Sequence, residues 1–256
     1  MANLKFYKCD VTAVTYTATG SDASYPLTNL NSFFVGDYWK GANANNNQQL
    51  ALSYALSGKT FIIVGGSNIA GIVADGGNVV LQRAADSAFT SNLETIKTWA
   101  TGNDTFTELT TFEASNRQYW RLYYNNTASA VPIVGNFYVG IELDLGDWHA
   151  YPYLGGKKLY DSVSEMKALD GRIRTSRTYT GGRRMWSLPI KNTTSAVAST
   201  FSTFFGTVGG RGMPFYFTDA NSNLYLVMFD MDDDPFVAIN AGDISEGEIL
   251  MKGIEI

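Results

Sequence analysis

The stretch Asn116–Tyr124 (N-R-Q-Y-W-R-L-Y-Y) constrains this chain more than any other. Period-two alternation puts Arg117, Tyr119, Arg121 and Tyr123 on one face and Gln118, Trp120, Leu122 and Tyr124 on the other. That is the pattern of a β-strand. The second face is mostly apolar and suits a core, while the Arg/Tyr face is open to solvent, stacking or another sheet. Side chains this large need a second sheet to cover them, so the stretch predicts a sandwich. Aromatic residues at 14%, 25 glycines and only 17% charged residues fit an all-β chain with many turns.

A chain of 256 residues allows one large or two medium domains. The net charge of −5 opposes a nucleic-acid binder that works through phosphate contacts. Cys9 is the single cysteine and His149 the single histidine, so neither an internal disulfide nor a His/Cys zinc site can form. The start, M-A-N-L-K-F-Y-K-C-D, lacks an apolar signal segment, and no later run is long enough to span a bilayer. Synthesis in a cytoplasm without membrane insertion is the expectation.

Short strands punctuated by Gly and Asn follow one another: Leu4–Tyr7, Ala13–Thr17, Leu50–Tyr54, Lys59–Val64, Asn78–Arg83, Phe106–Phe112 and Ile133–Ile141. Between Arg83 and Trp99 the chain reads as irregular and polar. These residues alone give a β-sandwich. Their motif order also resembles the discoidin-like, or galactose-binding-like, jelly roll. Carrying the resemblance are Tyr25-Pro26-Leu27-Thr28-Asn29-Leu30, the Tyr38-Trp39 turn, Leu50–Tyr54 and Lys59–Val64. Val80-Leu81-Gln82-Arg83 with Asp86-Ser87, Tyr119-Trp120-Arg121-Leu122 and the aliphatic-glycine strand Ile133–Gly140 complete it, over roughly residues 20–142. The resemblance implies a jelly-roll domain over 1–143.

After Gly140 the texture changes, and a second domain is expected over 144–256. Ser195–Phe205 carries Val197, Phe201, Phe204 and Phe205 at helical spacing, with Thr193 and Thr194 as caps and Gly206 as a stop. Strands flank it at Arg183–Ile190, Pro214–Thr218, Leu224–Phe229, Phe236–Ile239 and Glu248–Ile256. The order resembles the β-barrel module of distal-tail and minor-tail proteins of long-tailed phages, a barrel or sandwich with one short helix. Gly181, Gly182, Arg183, Arg184, Trp186, Leu188, Phe201, Phe204, Pro214, Phe215, Phe217, Asp219, Tyr225 and Phe229 carry it over roughly 160–256. It implies a homo-oligomeric ring, usually a hexamer, in the virion tail. Such a ring contacts the tail tube protein and the baseplate hub or tail-tip proteins, and is assembled in a host bacterial cytoplasm.

No catalytic constellation emerges, and neither a cofactor nor a metal is expected. His149 sits in Trp-His-Ala-Tyr-Pro without a serine or cysteine elbow. Ser57-Gly58-Lys59-Thr60 mimics the end of a phosphate loop, but Ser53 stands where the glycine is required. Asp230–Pro235 is an acidic run without EF-hand spacing and reads as a solvated hairpin turn. Arg172, Arg174, Arg177, Arg183 and Arg184 form a basic segment in an acidic chain; with His149 they are the candidate subunit interface. For a saccharide, Tyr38, Trp39, Asn43 and Asn45 share one loop and Asp86 and Trp99 lie on others. An aromatic platform with polar side chains is what such a site requires. The competing reading makes the tryptophans core plugs and the asparagines turn formers.

Two functions follow. One is a phage tail-tip structural protein whose outer domain touches host-surface saccharide; the other is a carbohydrate-binding, lectin-like adhesin. Neither makes or breaks a bond.

Overall fold

A computed structural model describes residues 5–9, 11, 13–32, 37–45, 47–54, 59–100, 107–111, 117–144, 157–159, 163–167, 173–177, 183–219, 222–238 and 244–254. Along the chain run β1 (Lys5–Cys9), β2 (Val14–Ala18), β3 (Trp39–Lys40), β4 (Gln48–Tyr54), β5 (Phe61–Gly65), α1 (Ile69–Ala74), β6 (Asn78–Ala84), β7 (Glu94–Thr98), β8 (Thr107–Thr111), β9 (Tyr119–Asn126), β10 (Ile133–Val134) and β11 (Asn136–Asp144). There follow β12 (Lys157–Leu159), β13 (Val163–Lys167), β14 (Ile173–Arg177), β15 (Arg183–Thr194), α2 (Ser195–Thr207), β16 (Phe215–Thr218), β17 (Leu224–Phe229), β18 (Val237–Ala238) and β19 (Ile244–Gly253). The fold is all-β with few helices, as expected.

The chain forms two compact units, Cys9–Glu142 and Met1–Lys8 with Leu143–Ile256. The division therefore differs from 1–143 and 144–256 at the amino terminus. Lys5, Phe6 and Tyr7 pair with Thr218, Phe217 and Tyr216 of β16, which draws the first residues into the second unit.

The first unit is a sandwich. One sheet is five-stranded and antiparallel, in the order β2-β4-β9-β6-β7; β5 pairs with β11 on one side and β8 on the other to make the second. The opening stretch supplies β9, the middle strand of the larger sheet. Trp120, Leu122 and Tyr124 are fully buried in one cluster with Leu50, Leu52, Val79 and Leu81 of their own sheet and Ile62, Val64, Phe137 and Val139 of the other. Burying such side chains contributes about 1.5–3 kcal/mol each, so this face holds the two layers together. Two elements differ from expectation. Glu94–Thr98 is a strand, β7, laid along β6 across a register shift between Leu81 and Gln82. Ile69–Ala74 is a helix whose Ile69, Ile72 and Val73 enter the core. Its return into β6 is tight: a Cβ on Gly77 would sit 2.6 Å from the Ile72 carbonyl oxygen and 2.9 Å from that of Asn126.

In the second unit β12-β15-β19-β17-β16-β1 form an antiparallel sheet with β18 on β19, and β13 pairs with β14. Among the described strands of this unit no pairing closes the sheet into a barrel. The expected helix is present as α2, with the Thr194 hydroxyl accepting from the Val197 amide. Its Phe201, Phe204 and Phe205 pack against Phe6, Phe215, Phe217 and Phe229 of the sheet.

Candidate functional site

Strand direction sorts the loops of the first unit. Gln48 lies opposite Tyr124, so segments 19–47, 66–77 and 127–135 emerge at the end where β4 begins and β9 finishes. Tyr119 lies opposite Ser53 and Ala84, which puts segment 85–93 at the other end.

Segment 19–47 is the long excursion, and its own sequence pins it. Asp22 accepts from the Ser24 amide at 2.9 Å and turns the chain. Pro26, with φ −71°, leads into a 3-10 turn over Leu27–Asn31, and Leu30 is fully buried. The chain returns through Tyr38-Trp39-Lys40. Trp39 points in, is fully buried and donates from Nε1 to Ser21 Oγ at 2.8 Å. Its neighbours therefore point out by the alternation of extended backbone. Lys40 pairs with Ile133 and Trp39 with Val134.

The outward residues converge. The Tyr25 and Tyr38 rings stack with centroids 4.5 Å apart at 12°. Lys40 Nζ sits 5.5 Å from the Tyr25 ring centroid and 3.3 Å from Asp22 Oδ2. The Ser24 amide, then Lys40, hold the Asp22 carboxyl below its ordinary range, and the Tyr25 side chain raises the Tyr38 phenol. Asn29 Nδ2 donates to the Tyr38 carbonyl at 3.0 Å and fixes that backbone. The result is a half-exposed aromatic pair flanked by one cation and one carboxylate, on a segment anchored by Leu30 and Trp39.

Around it the other loops are tied down. The buried Gln48 donates to Asn43 Oδ1 at 3.0 Å and to the Asn45 carbonyl at 3.0 Å. Thr127 donates to the Ala44 carbonyl at 2.8 Å, and Asn68 bridges the Val131 carbonyl and the Ile133 amide at 2.8 and 2.9 Å. The turn Thr127–Ala130 holds Ala128 at φ 49° and Ser129 at φ 65°, left-handed values that cost a side chain energy. Ala128→Gly should therefore raise stability by up to about 1 kcal/mol, read from the urea midpoint; a lower midpoint would show that the turn carries no strain.

Of the residues nominated for a saccharide, Tyr38 belongs to this cluster, and Asn43 and Asn45 lie exposed on the continuation of the same segment. Trp39 and Trp99 do not serve as platforms: they are 0% and 4% exposed and belong to the core. Asp86 is at the opposite end. Its carboxylate accepts from the Thr90 and Ser91 amides at 3.0 and 2.7 Å and from the Thr90 hydroxyl at 2.7 Å, closing its own loop. Tyr25, Asp22 and Lys40 complete the cluster without being nominated from the sequence, where Tyr25-Pro26 counts only as part of the jelly-roll motif order.

In the second unit Arg184 lies 5.0 Å from the Tyr225 ring centroid and donates to the Tyr225 hydroxyl, which reaches the buried Asp219 at 3.4 Å. Arg174 and Arg177 lie on β14 and Arg183 on β15, whereas Arg172 and His149 lie outside the described residues. Asp230 meets Lys252 at 3.1 Å and Arg211 at 3.7 Å, and Asp232 meets Arg211 at 3.2 Å. Among the described residues no three His, Cys, Asp or Glu side chains are grouped to hold a metal ion, and no helix is long and apolar enough to cross a membrane.

No family model matches the sequence, and no curated protein matches it. Similar solved structures include chitosan-binding module 1 from the chitosanase/glucanase of Paenibacillus sp. IK-5, at 20% identity over 50% of this chain and 94% of that one, TM-score 0.41. Module 2 of the same enzyme, in complex with chitotriose, is 18% identical over 51% and 99%, TM-score 0.41. The family 32 CBM from C. perfringens NanJ, in complex with galactose, is 9% identical over 54% and 99%, TM-score 0.41. At such identities the residues themselves have to carry the function.

Proposed function

We propose that the Cys9–Glu142 unit is a non-catalytic saccharide-binding module whose site is the Tyr25–Tyr38 pair with Asp22 and Lys40. The observation that carries this is the stacked pair itself, half-exposed beside a charged donor and a charged acceptor at one end of the sandwich. A pyranose offers an apolar C–H face and a rim of hydroxyls. Aromatic rings with a negatively polarised face suit the former; Lys40, Asp22 and the exposed Asn45 suit the latter. The anchors beneath reduce the ordering cost of binding.

Chitotriose and galactose, bound in two of the similar structures, are the first probes, followed by a glycan array. Tyr25→Ala or Tyr38→Ala should weaken the best ligand at least about ten-fold, some 1.4 kcal/mol, with the unfolding midpoint little changed. Folded variants that bind as well as the parent, or a parent that binds no glycan, would overturn the assignment. For the tail-ring reading, Arg184, the one candidate interface residue whose side chain is described, is engaged within its own chain.

A further inference from the structure

We infer that the outer face of the five-stranded sheet carries a second site, distinct from the tyrosine pair, that takes the carboxylate of an acidic saccharide at Arg121. In register, Arg121 stands between Ala51 of β4 and Gln82 of β6, at the middle of the sheet. Its Nε donates to Gln82 Oε1 at 2.9 Å and its NH1 to Gln49 Oε1 at 3.0 Å. The guanidinium lies 4.3 Å from the Phe89 ring centroid and 4.6 Å from that of Tyr123. It is half-buried, and desolvation lowers its pKa.

No carboxylate pairs with it among the described residues. Arg83 and Arg117 share Glu94; Arg121 has two neutral amide oxygens. A partly desolvated cation without a counter-charge is costly, and here two rings and two glutamines hold it in one pose. Of its five N–H donors, two are used, leaving NH2 and the second N–H of NH1 for an oxyanion. This is the planar fork that matches a carboxylate. Around it lie neutral polar groups: Gln82 Nε2 donates to Thr95 Oγ1 at 3.2 Å, and the Tyr123 hydroxyl donates to Asn47 Oδ1 at 2.7 Å. Amides, hydroxyls and the Phe89 and Tyr123 rings around a single fork favour a uronate ring over an acidic peptide, which needs several cations or an open sheet edge. In a chain of net charge −5, attraction to an anion has to be local.

The test compares galacturonate oligomers with neutral galactose oligomers of equal length, which differ by the carboxylate, using calorimetry on the full chain. The acidic series should bind at least ten-fold tighter, and the gap should narrow with added salt. Arg121→Gln should erase the gap and Arg121→Lys should restore part of it. No gap in the parent, or a gap that survives Arg121→Gln, overturns the site. Should Arg121→Gln not fold, the Arg121 Nε resonance of the parent decides: it shifts with the acidic series and not the neutral one, or the inference fails. A dimer formed by this face without ligand would mark a second copy as its occupant and would equally overturn it.

Discussion

Trp39→Ala should cost the first unit about 3–5 kcal/mol, the usual range for emptying a buried tryptophan site. Against a typical domain stability of 5–15 kcal/mol, that is enough to unfold a large part of the population on mild warming. Trp39 is fully buried, it is half of the short strand that meets Ile133 and Val134, and its indole N–H holds Ser21. Removing it empties a core position and frees both ends of the segment that displays Tyr25, Tyr38 and Lys40. Saccharide affinity should then fall together with stability. Trp39→Phe should keep most of the packing and most of the affinity. Urea unfolding of the two variants beside glycan titration checks this. A Trp39→Ala protein of parental stability that had lost its ligand would mean that the indole is a contact surface after all.

How far the sequence could be read depended on how local each determinant was. Asn116–Tyr124 was legible because alternation is a property of neighbouring residues, and the buried face of β9 followed directly. Helix α2 was legible for the same reason, having a cap and phenylalanines three and four apart, although it runs through the expected stop Gly206 to Thr207. Helix α1 is only six residues, Ile-Ala-Gly-Ile-Val-Ala, too short for a period to show. In the segment proposed to bind, burial separates two residues that stand side by side in the sequence. Tyr38 and Trp39 are adjacent aromatics, and which one turns inward is decided by β10 and the core beneath, which a one-dimensional pattern does not contain. Asp86 was grouped with Asn43 and Asn45 because all are loop residues. Only the strand directions show that β6 delivers Asp86 to the far end.

The pairing of the first strand had no local signal, and it carries the second large effect: Phe6→Ala should destabilise the second unit, not the first, again by about 3–5 kcal/mol. Phe6 is fully buried. Its ring lies 5.3 Å from that of Phe217, 5.8 Å from Phe215, 5.9 Å from Phe204, 6.2 Å from Phe201 and 6.5 Å from Phe229. One residue thus touches both α2 and the sheet, and aromatic pairs at these separations contribute about 0.5–1.5 kcal/mol beyond area burial. The backbone adds to this, since β1 covers part of β16, an edge that would otherwise be open to pairing with other chains. A fragment of residues 144–256 should therefore be far less stable than the whole chain and prone to aggregate. Hydrogen exchange on full-length Phe6→Ala separates the units: amides of β16 and β17 should lose protection while those of β9 keep theirs. Unchanged protection in β16 and β17 would place Phe6 outside the core it is assigned to.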